Sequence, residues 1–415
     1  MHAQFKNEKT FIFGCKTKSS SGISINKKIS YNETLGYGFD YNSEENIKIN
    51  KASVSSKKSI YFSVKLPEGN YRIDITLGGK KESITTVKAE SRRLMIKELK
   101  TSKNEISKQT FTVNVRTPKI SENNSIKIKD RDKNQLNWDN KLTLEFSGTP
   151  ILKSLKVTPL QNVRTLFLAG DSTVTDQDQE PWASWGQFIT NYFNSNIVVA
   201  NYAESGAALN SFIATNRLDK IMSLIAPGDY LFIEFGHNDE KQKGEGFGPW
   251  ESYANALTDY VKKARAKGAI PVLVTPTQRR AFNTNGTLKF THGEYPDAMR
   301  KVAKDLQVPL IDLTKMTTEM YEAWGDANSR KAFVQYPANT FPGQTTALED
   351  NTHFNSFGAN EIAKCIAQGI IGLNLDIAKY IKPNFETYNP KKPDSFDTWN
   401  LPMSSRFEIK KPDGN

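Results

Sequence analysis

Only two cysteines occur in 415 residues, Cys15 and Cys365. They fall in stretches of different texture, so no disulfide framework and no C-x-x-C site is expected. Both read as small, buried apolar side chains. Histidine is nearly as scarce, with four in the whole chain. No H-E-x-x-H occurs, which removes a common zinc pattern. Asp176-x-Asp178-x-Glu180 has a calcium-like spacing but lacks the glycine and the closing glutamate of an EF-hand loop. No catalytic metal and no cofactor are expected. No apolar run approaches the ~20 residues that span a bilayer, and no phosphate-binding glycine loop or nucleic-acid module is visible. Met1-His2-Ala3-Gln4 is not a charged segment leading into an apolar stretch, so an intact secretory signal is absent.

What is present is a globular composition, 37% hydrophobic, with 23 Phe, 15 Tyr and 6 Trp. The length predicts two or three domains. Charge is unevenly spread. Residues 1–160 hold 30 Lys+Arg against 16 Asp+Glu, and the remainder holds 26 against 29. A basic first part can attract a polyanion, or it can simply be a lysine-rich surface.

Residues 1–160 read as β. Ser59–Val64, Tyr71–Leu77, Phe111–Val115 and Lys141–Phe146 alternate with period two, and Pro67-Glu68-Gly69-Asn70 and Gly78-Gly79 punctuate them. Many short strands of this kind predict a sandwich or jelly roll. From Val163 the texture changes. Val163–Ala169, Asn196–Ala200, Asp229–Phe235, Ile270–Thr275 and Val308–Leu313 are apolar runs, with helical patterns such as Trp250–Lys267 and Asp297–Leu306 between them. That alternation predicts an α/β unit over residues 161–382, with a parallel sheet covered on both faces. Residues 383–415 read as an extension whose Phe385, Phe396, Trp399 and Phe407 pack back on the body.

Four segments carry chemistry: Gly170-Asp171-Ser172-Thr173, Gly206, Gly236-His237-Asn238-Asp239 and Asp350-Asn351-Thr352-His353. Taken singly, each has a plain structural reading. Ser172 fits a helix N-cap, Gly206 a turn, Asn238 a loop cap, and Asp350 with His353 a shaped loop. Together they supply an acyl-transfer site. Ser172 is the nucleophile candidate, and a hydroxyl needs a base. With His2 set aside as terminal, His237, His292 and His353 remain. His353 has Asp350 three residues before it to fix its tautomer. The Ser172 N–H, the Gly206 N–H and the Asn238 amide can hold an oxyanion. Their predicted places, after the C-terminal ends of successive strands, are where open α/β sheets build sites. Trp182, Arg279 and His292 are candidates for substrate contact. Trp182 can stack on a sugar or sit in the core with Trp185. Arg279 can pair with a uronate carboxylate or make a structural ion pair. His237 is expected to support the site by hydrogen bonding.

Ser172 lies in G-D-S-T-V, without the second glycine of a G-x-S-x-G elbow, so the α/β-hydrolase pattern fits poorly. The ordered set instead resembles the SGNH (GDSL-like) hydrolase superfamily, whose blocks supply Ser, Gly, Asn and His. G-D-S-T, N-x-A-x-x-G, I-E-F-G-H-N-D and D-x-T-H are similar to those of rhamnogalacturonan acetylesterases over residues 163–372. The run Gly206-Ala207-Ala208-Leu209 departs from the G-R-S of fungal-type members and is more like the two-domain bacterial members. The resemblance implies a three-layer, flavodoxin-like SGNH domain preceded by a galactose-binding-like jelly roll. It also implies an exported esterase, its signal removed, that deacetylates an acidic plant polysaccharide, with no nucleic-acid or membrane partner. An acetylxylan or other acyl esterase, and a non-catalytic polysaccharide-binding protein, stay open as alternatives.

Overall fold

A computed structural model describes residues 8–15 and 22–413; His2 lies outside them. Residues 9–160 form two largely antiparallel sheets. One runs in the order Ile106–Val115, Gly69–Gly78, Ile151–Leu160, Lys9–Phe13, Ile23–Ile25, with the hairpin Lys48–Ile49/Val54–Ser55 joined to Ile151–Leu160. The other runs Tyr37–Asp40, Ile60–Lys65, Lys141–Gly148, Ser83–Ala89, Arg93–Thr101. The period-two pattern does what it predicts. Tyr71, Ile73, Ile75 and Leu77 point inward while Arg72 is exposed. Phe11, Phe13, Phe39 and Phe62 meet edge-on or tilted between the sheets, within one shared core.

The second sheet system is parallel. Along the chain its strands are Arg164–Gly170, Ile197–Asn201, Tyr230–Glu234, Ile270–Val274 and Leu310–Ile311, and their spatial order is 2-1-3-4-5. Each strand is apolar on both faces because helices cover both. Leu166 and Leu168 enter one core with the helices Leu313–Ser329 and Ser356–Gly372. Phe167 and Ala169 enter the opposite core with Ala254–Ala266 and Tyr295–Asp305. The order reverses between the first and third strands, which opens a crevice at their C-terminal ends.

Local chemistry sets the boundaries. Asn355 caps Ser356–Gly372 by accepting from the N–H groups of Phe357 and Gly358, at 3.0 and 3.1 Å. Asp312 caps the helix that begins at Leu313, accepting from Lys315 N–H, which cuts the expected strand over Val308–Leu313 down to Leu310–Ile311. The extension from 383 onward is threaded over the body. Phe385 packs on Tyr192, Phe396 on Trp324 and Phe357, and Phe407 on Phe341. One expectation is corrected. Cys15 is exposed, because it sits where its strand leaves the sheet, and only Cys365 is buried; both are free thiols. Among the described residues, no helix is long and apolar enough to cross a membrane.

Candidate active site

The strand Arg164–Gly170 delivers the nucleophile candidate. Gly170 is required at the turn, since a Cβ there would lie 2.5 Å from Val174 Cγ2 and 2.9 Å from Glu234 O. The Asp171 carboxylate accepts from the Thr173 N–H and hydroxyl, at 2.9 and 2.8 Å, and its carbonyl accepts from the N–H groups of Val174 and Thr175. Ser172 is thereby held on a tight turn, 3% exposed. Gln177 Nε2 fixes it further by donating to its carbonyl at 2.9 Å.

The base comes from outside the parallel sheet. Asp350 and His353 lie on the strand Leu348–Phe354, paired with Phe333–Tyr336. Phe333 faces Phe354 but Gln335 faces Glu349, so the two strands advance unequally and Asp350–His353 bulges toward Ser172. Asp350 Oδ1 accepts from the N–H groups of Thr352 and His353, at 2.7 and 2.9 Å. Its Oδ2 accepts from His353 Nδ1 at 2.8 Å, which leaves Nε2 to accept from Ser172 Oγ at 2.9 Å. Burial opposes charge on Asp350, but the imidazole and the two backbone donors outweigh it and hold the carboxyl at about 2. It is therefore ionised at neutral pH and fixes the tautomer the serine needs.

Gly206 and Asn238 follow the second and third parallel strands, and Asn238 is tied to the residue after Gly206. Gly206 has φ 78°, a left-handed conformation that suits glycine. Among the described residues no protein acceptor takes the N–H of Ser172 or of Gly206. Asn238 Nδ2 donates to Ala207 O at 3.0 Å, while its Oδ1 accepts from Lys241 Nζ at 3.4 Å. Those contacts set the amide so that its second N–H is free to donate. A hydroxyl, a base and an oriented carboxylate can carry out attack on an ester carbonyl, and an N–H aimed at the carbonyl oxygen would stabilise the oxyanion that results.

The three candidates for substrate contact are each held by protein contacts. Trp182 is 3% exposed. Its indole N–H donates to Glu408 O, its ring meets the His353 imidazole edge-on at 5.8 Å, and it forms part of the wall of a cavity beside the site. Arg279 forms an ion pair with Glu240 at 2.5 Å. His292 is 2% exposed, with Nδ1 at 2.7 Å from Glu240 and Nε2 at 2.8 Å from Thr277 O. Arg279 and His292 thus share Glu240 in one polar cluster, with His292 buried and Arg279 half-buried. His237 packs edge-on against His292 at 4.6 Å, with Nδ1 3.3 Å from Asp171. Burial lowers its pKa to about 4, so it stays neutral.

Three features escaped the sequence reading. First, the acidic stretch after the nucleophile is a docking point for the β sheets. Asp176 pairs with Arg93 and Arg116, both at 3.1 Å, and Glu180 with Arg92, while Ser91 Oγ donates to Asp178. Basic excess before residue 160 and a carboxylate cluster after it was the available signal. Second, Glu234 is pushed up to about 8 by burial and by the Asp171 charge. Protonated, it can donate a hydrogen bond to Thr173 Oγ1 at 3.0 Å, which frees the Thr173 hydroxyl to donate to Asp171. Third, the C-terminal extension reaches the site. Phe407 bridges Glu180, and Lys411 Nζ lies 3.5 Å from Asp350 Oδ2. A polar cavity of about 90 Å³ lies beside them, lined by Arg131, Gln177, Trp182, Ser205, Arg406 and Glu408 among others.

Comparison with known proteins gives the family. Residues 168–359 match the GDSL-like Lipase/Acylhydrolase family. The chain is 45% identical over 218 residues to rhamnogalacturonan acetylesterase RhgT of Bacillus subtilis, covering 52% of this chain and 93% of that protein. It is 35% identical over 219 residues to the probable rhamnogalacturonan acetylesterase YesY of the same organism, covering 52% of this chain and 96% of the relative. The solved structure of YxiM from Bacillus subtilis aligns with 89% of this chain and 99% of its own, at 23% identity and a TM-score of 0.48. The matched segment contains Ser172, Gly206, Asn238, Asp350 and His353, and the chain belongs to the GDSL-like lipase/acylhydrolase family, as a carboxylic ester hydrolase.

Proposed function

We propose that the protein is a serine esterase that removes acetyl groups from a plant cell-wall polysaccharide, most specifically pectic rhamnogalacturonan. The observation that carries the chemistry is the unbroken hydrogen-bonded run from Ser172 Oγ through His353 to Asp350. Ser172 Oγ attacks the acetyl carbonyl carbon as its proton passes to His353 Nε2. The Ser172 N–H, the Gly206 N–H and the Asn238 amide stabilise the oxyanion. His353 gives the proton to the departing sugar oxygen, leaving an acetyl-serine. Water, deprotonated by His353, attacks that ester, and acetate leaves as the proton returns to Ser172. Asp350 remains charged throughout and stabilises the imidazolium.

The choice of substrate is supported by the relatives at 45% and 35% identity, named as a rhamnogalacturonan acetylesterase and a probable one. A polar cavity rather than an apolar channel beside the site suits an acetylated sugar better than a long acyl chain. In this reading residues 1–160 form a galactose-binding-like jelly-roll domain, residues 161–382 the catalytic domain, and residues 383–415 an extension bound to both. A cell-wall polymer lies outside the cytoplasm, so the protein would act in the periplasm or the medium.

Acetate release from acetylated rhamnogalacturonan and from acetylated xylan, measured in parallel, tests the substrate. The rhamnogalacturonan should be the faster, and faster release from xylan overturns that choice. Ser172→Ala should abolish hydrolysis of both, and of p-nitrophenyl acetate, without altering the circular dichroism spectrum. Retained hydrolysis would remove the nucleophile assignment.

A further inference from the structure

A concave surface much larger than the cavity beside the Ser172 site lies elsewhere on the molecule. A groove of about 1050 Å³ lies on the β sheets, where the hairpin Lys48–Ile49/Val54–Ser55 of one sheet faces the start of Ser83–Ala89 and the end of Arg93–Thr101 in the other. Lys48, Lys57, Lys58, Lys81 and Lys100 line it, against one acidic side chain, Glu82. All five lysines are exposed. Among the described residues none of them has an ion-pair partner, although Lys65, Lys141 and Lys156 elsewhere on these sheets do.

Five unpaired ammonium groups around one concavity repel one another, and a fold gains nothing from that arrangement by itself. The field favours a polyanion. No arginine lines the groove, so the bidentate fork that recognises phosphate is missing. No aromatic side chain lines it either, so nucleobases have no stacking platform. Exposed Ile84 is the main large apolar side chain at the surface of the groove, too little to insert into a bilayer. Dispersed point charges instead match carboxylates repeated along a sugar chain.

We propose that this groove is an ancillary binding site for a polyuronate, a carboxylate-bearing polysaccharide. Its position suits such a role. The strand Ser83–Ala89 runs from the groove toward Glu90–Arg92, and Arg92 holds the carbonyls of Gln177 and Trp182 beside the nucleophile turn. Seven residues of strand at about 3.3 Å each put the two ends roughly 20 Å apart. A polymer held in the groove keeps its acetylated stretches near Ser172 at a raised effective concentration. The choice of a sugar polymer among polyanions rests on the acetylesterase reading; the attraction itself does not.

The test uses the full chain, with polygalacturonate as probe in affinity electrophoresis. Duplex DNA, phosphatidylserine vesicles and neutral galactan serve as comparison ligands. Lys57→Glu/Lys58→Glu/Lys81→Glu should weaken retention by polygalacturonate by about tenfold or more. Turnover of p-nitrophenyl acetate should not change. The Lys→Gln triple variant, which adds no negative charge, should lose less and keeps the result readable if the reversal impairs folding. Unchanged retention in both variants overturns the proposal. So does binding of DNA or vesicles as tight as that of polygalacturonate at equal charge concentration. Retention does not involve Ser172, so a chain that binds polygalacturonate yet releases no acetate refutes the esterase reading and leaves the groove standing.

Discussion

Replacing Asp350 by Asn changes one atom, and the surroundings dictate the consequence. Two backbone N–H groups, of Thr352 and His353, point at Oδ1 from 2.7 and 2.9 Å. Only the amide oxygen can accept them, so the new NH2 must occupy the position of Oδ2, 2.8 Å from His353 Nδ1. That NH2 can only donate. Nδ1 must then accept, the ring proton moves to Nε2, and Nε2 can no longer take the hydroxyl proton of Ser172. Loss by the same wrong-tautomer route in a serine protease is about 10⁴-fold in kcat, and a loss of about that size is expected here. A separate effect falls on stability. The carboxyl is held at about 2 against an ordinary 3.8, so it contributes about 2 kcal/mol to the folded state above the ordinary value. That contribution is lost as pH falls through about 2, and Asn lacks it at every pH. Hydrolysis of p-nitrophenyl acetate across pH, together with urea unfolding, reads both effects. Asp350→Asn within tenfold of the parent rate at neutral pH would refute the orientation argument.

Asn238→Ala should lower kcat by ~10²–10³ with little change in KM, since the amide acts on the oxyanion; an unchanged kcat would take Asn238 out of that role. Glu234, raised to about 8, binds its proton more tightly when folded. Its contribution is full below the ordinary 4.5 and is lost as pH rises through about 8. Glu234→Gln, which can keep a donor toward Thr173 and an acceptor toward Trp185, should therefore remove part of the alkaline fall in Tm; an identical fall in both proteins would refute this. Arg93→Met leaves Asp176 buried with one guanidinium where it had two, and should destabilise by roughly 3 kcal/mol in urea unfolding; a loss below the error of the measurement would show the pair to be dispensable.

The parallel sheet was legible because each strand is buried on both faces and reads as a continuous apolar run. Ser172, Gly206 and Asn238 were legible because they follow such runs by a few residues. The pairing of Asp350 with His353 was legible as a local spacing, but the device that aims it was not. The bulge in Leu348–Phe354 arises from pairing with Phe333–Tyr336, which has only weak alternation of its own. What Trp182, Arg279 and His292 touch was not legible, for one shared reason. Residue type indicated polar or aromatic groups near the site, but not whether they face the substrate or support the residues that do. Glu240 and Thr277 decide that for His292, and Glu408 decides it for Trp182, from positions that no local pattern connects.

The β sheets then take on a role that composition hid. Their basic surplus looked like one property, but it divides into two by burial. Arg92, Arg93 and Arg116 are almost wholly buried and pair with Glu180 and Asp176, whereas the groove lysines are exposed and have no ion-pair partner among the described residues. A buried guanidinium without its carboxylate costs several kcal/mol, and so does the carboxylate without it. The turn that carries Ser172 and the loop Glu90–Arg92 are therefore stable only together. The arginines fix how the sheets sit against the nucleophile turn, and Lys81 and Lys100, at the far end of the hairpin Ser83–Ala89/Arg93–Thr101 and about 20 Å away, are placed by that docking. Any polymer the groove holds is thus held at a set distance from Ser172, which a flexibly tethered binding module could not provide.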